Sequence, residues 1–132
     1  MTATATISLP VGAISDLLNA DAEFQLTARF WDADIRFLIG DDSYFMTIKQ
    51  GRVESFQLGR TGFDPYTINV AGPVAVWDKM FDEKPDPFYH DWFAASFHHD
   101  FEIGGDLASA YAYYYALRRI HALMGKAVRE AS

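Results

Sequence analysis

The chain has 132 residues, half of them apolar and 22% charged, with a net charge of −7 and no cysteine. That length and balance suit one folded domain, residues 1–132, and exclude a disordered chain; the negative charge disfavours nucleic acid, which needs clustered Lys and Arg; the missing thiols exclude disulfides and thiolate metal sites. No apolar run approaches the roughly 20 residues of a transmembrane segment, and the first residues show neither a basic start nor a long apolar stretch, so a soluble cytoplasmic protein is expected.

In chain order, residues 1–8 are small and polar and are expected to form a disordered tail. Ala13 to Leu18 reads as a short helix. Asp21 is an N-cap for a second helix through Trp31, with Phe24, Ala28 and Trp31 on one side; an edge strand in which Phe24, Leu26 and Ala28 alternate is the other reading. Ala33 to Leu58 then alternates with period two and predicts three strands joined by Gly40-Asp41-Asp42 and Gln50-Gly51. Ile35, Phe37, Ile39, Tyr44, Met46 and Ile48 share its apolar face. Val53 and Phe56 fall out of phase, and a bulge near Glu54-Ser55 would reconcile them. Lys49, Arg52 and Arg60, diluted by Asp41, Asp42 and Glu54, read as a solvated strand surface.

Gly59 to Pro65 holds several breakers and predicts a loop, with Asp64 a turn residue before Pro65. Tyr66 to Val70 predicts a fourth strand with Tyr66, Ile68 and Val70 inward. After Gly72-Pro73 a helix carries Val74, Trp77, Met80 and Phe81 as one stripe. Glu83 to Pro87 breaks it. Phe88 to His98 predicts a further short helix, with Phe88, Trp92 and Ala95 on one side and Phe93 and Phe97 beside them. Phe101-Glu102-Ile103 is a fifth strand, and Asp106 caps a final helix that runs to about Met124 and stops at Gly125. That helix has two stripes: Tyr113, Leu117, Ile120 and Met124, and, turned by about 120° on a 3.6-residue wheel, Leu107, Tyr111, Tyr114, Arg118 and His121. The order α-β-β-β-β-α-β-α predicts an α+β domain: a five-stranded, mostly antiparallel sheet with its helices on one face. Ile35, Phe37, Met46, Ile48, Ile68 and Ile103 should share the covered side.

These local sequences, in this order, resemble the sterol carrier protein type-2 family. The likeness rests on Asp34-Ile35-Arg36-Phe37 through Tyr44-Phe45-Met46-Thr47-Ile48 into Gly51-Arg52-Val53, on Phe63-Asp64 with Tyr66-Thr67-Ile68 and the helix of Trp77, and on Phe101-Glu102-Ile103-Gly104-Gly105-Asp106-Leu107. It spans about residues 22–124. The resemblance implies a sterol-carrier-protein-type fold whose helices enclose an apolar tunnel for lipid-like molecules, in stand-alone carriers or in domains attached to enzymes. The aromatic stretch 83–100 and the cluster Tyr111, Tyr113, Tyr114 and Tyr115 depart from the pattern and imply a smaller, flatter or more polar pocket. A cone-shaped nuclear-transport-factor fold is disfavoured, because such folds finish in long strands and this chain ends in a helix.

Aromatic residues make up 16% of the chain, enough for a dense core or a ring-lined pocket. The residues expected to line a ligand site are Phe37, Met46, Ile48, Ile68, Trp77, Phe81, Trp92, Phe93, Phe97, Tyr111, Tyr114 and Arg118. The reading is a carrier or binding domain for a small hydrophobic or amphipathic ligand, with Arg118 at the rim to meet a polar or anionic end. The alternatives are a small isomerase, dehydratase or cyclase using Tyr or His as acid and base, and an accessory subunit, as a homodimer or with an enzyme partner, that uses exposed aromatics around 85–97. His90-Asp91 and His98-His99-Asp100 have poor spacing for chelation and read as solvated loop ends. No catalytic motif, cofactor or metal site is expected.

Overall fold

The computed structural model describes residues 7–59, 65–89 and 91–131. Eleven elements follow in order: α1 (Val11–Ala20), α2 (Ala22–Thr27), β1 (Ala33–Ile39), β2 (Asp42–Lys49), β3 (Arg52–Leu58), β4 (Ile68–Gly72), α3 (Val74–Met80), α4 (Trp92–His98), β5 (Glu102–Gly105), α5 (Leu107–Ala112) and α6 (Tyr114–Ala131). The strands form one sheet in the order β3-β2-β1-β4-β5. Every neighbouring pair is antiparallel except β1 with β4, which run parallel.

The alternating pattern sets the register. Ile35 faces Met46 and Phe37 faces Tyr44 across the first hairpin, while Ile68 and Val70 sit beside Ile35 and Phe37 on the parallel side. All of these are buried, and Ile103, opposite Val70, is half-buried against them. Each fully buried Ile, Phe or Met side chain contributes about 1.5–3 kcal/mol, so a slip of one residue, which would turn the whole row to solvent, is strongly excluded. The expected bulge is present: Thr47 faces Ser55 and Ile48 faces Val53, leaving Glu54 unpaired. Val53 and Phe56 are thereby both buried while Glu54 and Ser55 are exposed.

The helices gather on the apolar face. α1 packs on β3 and α6, and α2 packs on α6. Asp21 caps α2 by accepting the Phe24 N–H at 2.8 Å, and it also accepts both Nε and Nη2 of Arg119 at 2.8 Å. One carboxylate therefore ends a helix and fastens it to α6. Arg119 holds the Asp21 carboxyl below its usual value and outweighs the opposing effect of burial.

Several expectations are corrected. α2 stops at Thr27 instead of running through Trp31. Phe30 takes a positive φ of 69°, which turns the chain so that Trp31 stacks on Tyr113 with ring centres 4.8 Å apart. Tyr66 does not point inward: it is 40% exposed under the Arg36 guanidinium, and β4 begins at Ile68. Helix 88–98 begins only at Trp92, because Phe88 has a φ of 70°. The final helix breaks at Tyr113 (φ −110°, ψ 33°) and then passes Gly125 as far as Ala131. Gly125 is a point of close packing, not a stop: it is buried, and a Cβ there would lie 3.6 Å from the Phe81 backbone and 3.1 Å from the Arg129 guanidinium. Ile7, counted in the N-terminal tail, is half-buried against the core. The readings of residues 1–6 as a disordered tail, of residues 60–64, including Arg60 and Asp64, and of His90 lie outside the described residues.

Candidate functional site: an aromatic layer under the sheet

Between the apolar face of the sheet and helices α3, α4 and α6 lies a layer of rings. Phe37, from β1, reaches Trp77 of α3 at 6.3 Å and Trp92 of α4 at 5.5 Å, and the two tryptophans meet edge-on at 5.9 Å. Trp77 also meets Phe81 at 5.7 Å and Phe101 at 5.1 Å. His121 of α6 closes the layer, stacked on Trp92 at 5.2 Å with the planes only 9° apart. Edge-on and offset pairs at these separations each add about 0.5–1.5 kcal/mol beyond their burial.

The polar atoms of the layer are treated unequally. The Trp77 indole N–H donates to the Leu38 carbonyl at 3.0 Å. The His121 Nε2 lies 3.1 Å from the Met80 carbonyl, which can only accept, so that nitrogen carries the proton. Trp92 is 2% exposed, and its indole N–H has no hydrogen-bond partner among the described residues. A buried donor left unmade costs about 1–3 kcal/mol.

At the outer margin α4 is pinned by Asp91, which is 7% exposed. One oxygen caps α4 by accepting the Phe93 N–H at 3.0 Å, and the other accepts the Tyr114 hydroxyl. The hydrogen bond to Asp91, then burial, then the Asp91 charge push the Tyr114 phenol above its ordinary value, opposed by the Arg118 guanidinium. Phe93 rests on Tyr111 at 5.0 Å and on Tyr114 at 5.3 Å.

Of the residues expected to line a site, Phe37, Trp77, Phe81 and Trp92 meet in the layer, while Met46, Ile48 and Ile68 are fully buried on the same sheet face. Phe93 and Tyr114 form the margin, and Arg118 lies over the Tyr114 ring at 5.9 Å with its own side chain exposed. Phe97, at 77% exposed, stands outside the layer, and Tyr111, at 57%, covers Phe93 from the solvent side. Their helical spacing placed them on the right helices, but those helices present these positions outward. Asp91, read as a solvated loop end, is instead the buried anchor of α4; its place just before an aromatic helix was the usable N-cap signal. His121 belonged to the second stripe, and only the tertiary packing puts it on Trp92. His98 and His99 stack on Phe88 and Tyr89 at 3.7 and 3.8 Å. Among the described residues no group of three His, Asp or Glu is placed to hold a metal ion, and no helix is long and apolar enough to cross a membrane. A separate open groove of about 460 Å³ lies between α1 and the end of α6, lined by Pro10, Ala13, Leu17, Ala20 and Ala127 with Asp16, Glu130 and Ala131.

No family model and no curated protein sequence matches the chain. Solved structures do. The crystal structure of sterol carrier protein 2 superposes with a TM-score of 0.73 at 13% identity, over 88% of this chain and 93% of that one. A conserved hypothetical protein from Thermus thermophilus gives 0.70 at 12% identity, over 96% and 95%. The ubiquinone synthesis protein UbiJ-SCP2 gives 0.55 at 13% identity, over 83% and 90%. At such identities the likeness is one of architecture: this chain has the sterol carrier protein 2 fold.

Proposed function

We propose that this protein binds a small hydrophobic or amphipathic molecule in the aromatic layer between the sheet and helices α3, α4 and α6, and carries it without transforming it. The observation that carries the reading is the construction of the cover. α4 is only seven residues long, yet it supplies Trp92 to the layer and Phe93 to its margin, and it brings in an indole N–H without a partner among the described residues. A short helix held at its start by one Asp91–Tyr114 hydrogen bond is the part of the wall that can give way to a ligand. The fold supports this reading, since its solved neighbours include sterol carrier protein 2. Affinity would come from ring burial, at roughly 25 cal/mol per Å² before the costs of association.

Native mass spectrometry of purified protein should find a co-purified hydrophobic molecule, and a flat hydrophobic probe should quench tryptophan emission saturably. Tyr114→Ala should weaken that binding by more than its loss of stability explains. Leu17→Gln, in the α1–α6 groove, should leave it unchanged. If no such compound binds, or if Leu17→Gln alone abolishes binding, the aromatic layer is core and nothing more.

An accessory role is favoured by one observation. Phe97, Tyr111 and Tyr115 are 77%, 57% and 69% exposed, an outlay of large rings in water that suits a protein contact. A partner surface there predicts that Phe97→Ser with Tyr115→Ser abolishes association with a second chain and leaves probe binding intact.

A further inference from the structure

We infer that the molecule held in the aromatic layer has an uncharged hydrogen-bond acceptor at its buried end, a carbonyl, ether or hydroxyl oxygen, and that the site rejects carboxylates. This rests on the binding reading above and adds the chemistry of the ligand's polar end. The first ground is the Trp92 indole N–H. It is the buried donor of the layer without a partner among the described residues, and Trp92 is 2% exposed, so solvent does not satisfy it. The indole that carries it packs against Phe37, Trp77 and, in a flat stack, His121, so the donor belongs to the layer that the ligand would enter. An indole N–H can only donate, and its complement is an acceptor.

The second ground is charge. Asp91 precedes Trp92 and is buried, its oxygens directed to the Phe93 N–H and the Tyr114 hydroxyl. Tyr114 and His121 are seven residues apart on α6, about 10 Å along the axis, so a carboxylate seated on Trp92 would lie within about that distance of the Asp91 anion. At an effective dielectric constant of about 20, repulsion between unit charges at 10 Å lowers affinity by roughly tenfold. The one cation described at this margin, Arg118, has an exposed side chain over the outer Tyr114 ring, where water screens it. The segment 82–106, which supplies α4 and β5, carries seven carboxylates against one lysine. A neutral acceptor meets the donor and avoids the field.

Three probes with one ring body separate the ideas: pyrene, 1-acetylpyrene and 1-pyrenecarboxylate, followed by emission anisotropy at pH 7.5. The ketone should bind about five- to tenfold more tightly than the hydrocarbon, and the carboxylate at least about tenfold more weakly than the ketone. Trp92→Phe, checked for folding by circular dichroism, should bring the ratio of ketone to pyrene affinity to about one, because it removes the donor and keeps a ring in its place. Asp91→Asn keeps a capping side chain and should strengthen the carboxylate by about tenfold. If pyrene binds but the ketone gains nothing, or Trp92→Phe leaves that gain intact, the head-group inference falls and the carrier reading stands. A carboxylate that binds best also overturns it. If none of the three binds, both fall together.

Discussion

Replacing Tyr114 with phenylalanine keeps the ring on Phe93 and under Arg118 and removes one hydroxyl. In the native protein that hydroxyl donates to Asp91. A hydrogen bond to a charged acceptor is worth about 1.5–3 kcal/mol, and Asp91 is only 7% exposed, so water replaces the lost donor poorly. The expected loss is about 2 kcal/mol, which for a domain of this size lowers Tm by roughly 6–10 °C. Urea unfolding followed by circular dichroism at pH 7 measures it. A double-mutant cycle with Asp91→Asn isolates the pair, and the coupling should be at least about 1 kcal/mol. Alkali gives an independent check. The bond to Asp91 raises the Tyr114 phenol above its ordinary value, with burial adding to it. The stabilisation is therefore whole below the ordinary phenol value of about 10 and is lost as pH rises through the higher folded value. Wild type should converge on Tyr114→Phe only above about pH 10. A loss below about 0.5 kcal/mol at neutral pH, or strict additivity with Asp91→Asn, would show that the pair is not formed in solution.

Asp21→Ala removes a helix cap and a bidentate partner of Arg119 together, for an expected cost of about 1–2 kcal/mol in urea unfolding at pH 7. Arg119 holds the Asp21 carboxyl low, so that contribution is present above its ordinary value of about 4 and is lost as pH falls through the lower folded value; a difference that has already vanished by pH 5 would refute it. Gly105→Ala should cost more than about 2 kcal/mol, because φ there is +88° and a Cβ would lie 2.3 Å from the Thr67 carbonyl oxygen; an unchanged melting curve would contradict the geometry at the end of β5. Trp77→Ala should cost about 3–5 kcal/mol and Phe97→Ser less than about 0.5 kcal/mol, since the first ring is 0% and the second 77% exposed. Equal costs in thermal melts would refute the outward placement of Phe97.

Local sequence sets whatever depends on neighbours a few residues away. The hairpins follow from period-two alternation with Gly and Asp at the turns, and the bulge follows from the phase error between Val53 and Phe56. The caps follow from Asp21 and Asp106 standing just before apolar helical runs, each accepting a backbone N–H three residues on. The apolar side of the sheet was legible too, because one buried face leaves a strand only one register. Tertiary structure decided whatever depends on which distant surfaces meet. The parallel pairing of β1 with β4 brings together segments more than thirty residues apart, and no local pattern encodes it. Gly125 has the composition of a helix stop, yet it serves close packing on Phe81, because α6 had to pass α3 at that level. The second stripe of the last helix marked an apolar surface without saying what covers it. Only the arrival of α4 over that surface set His121 on Trp92 and Tyr114 on Asp91 while turning Tyr111 and Phe97 to solvent. Periodicity assigns a side chain to a face of its own helix, but burial and charge at a site are properties of the partner brought against that face.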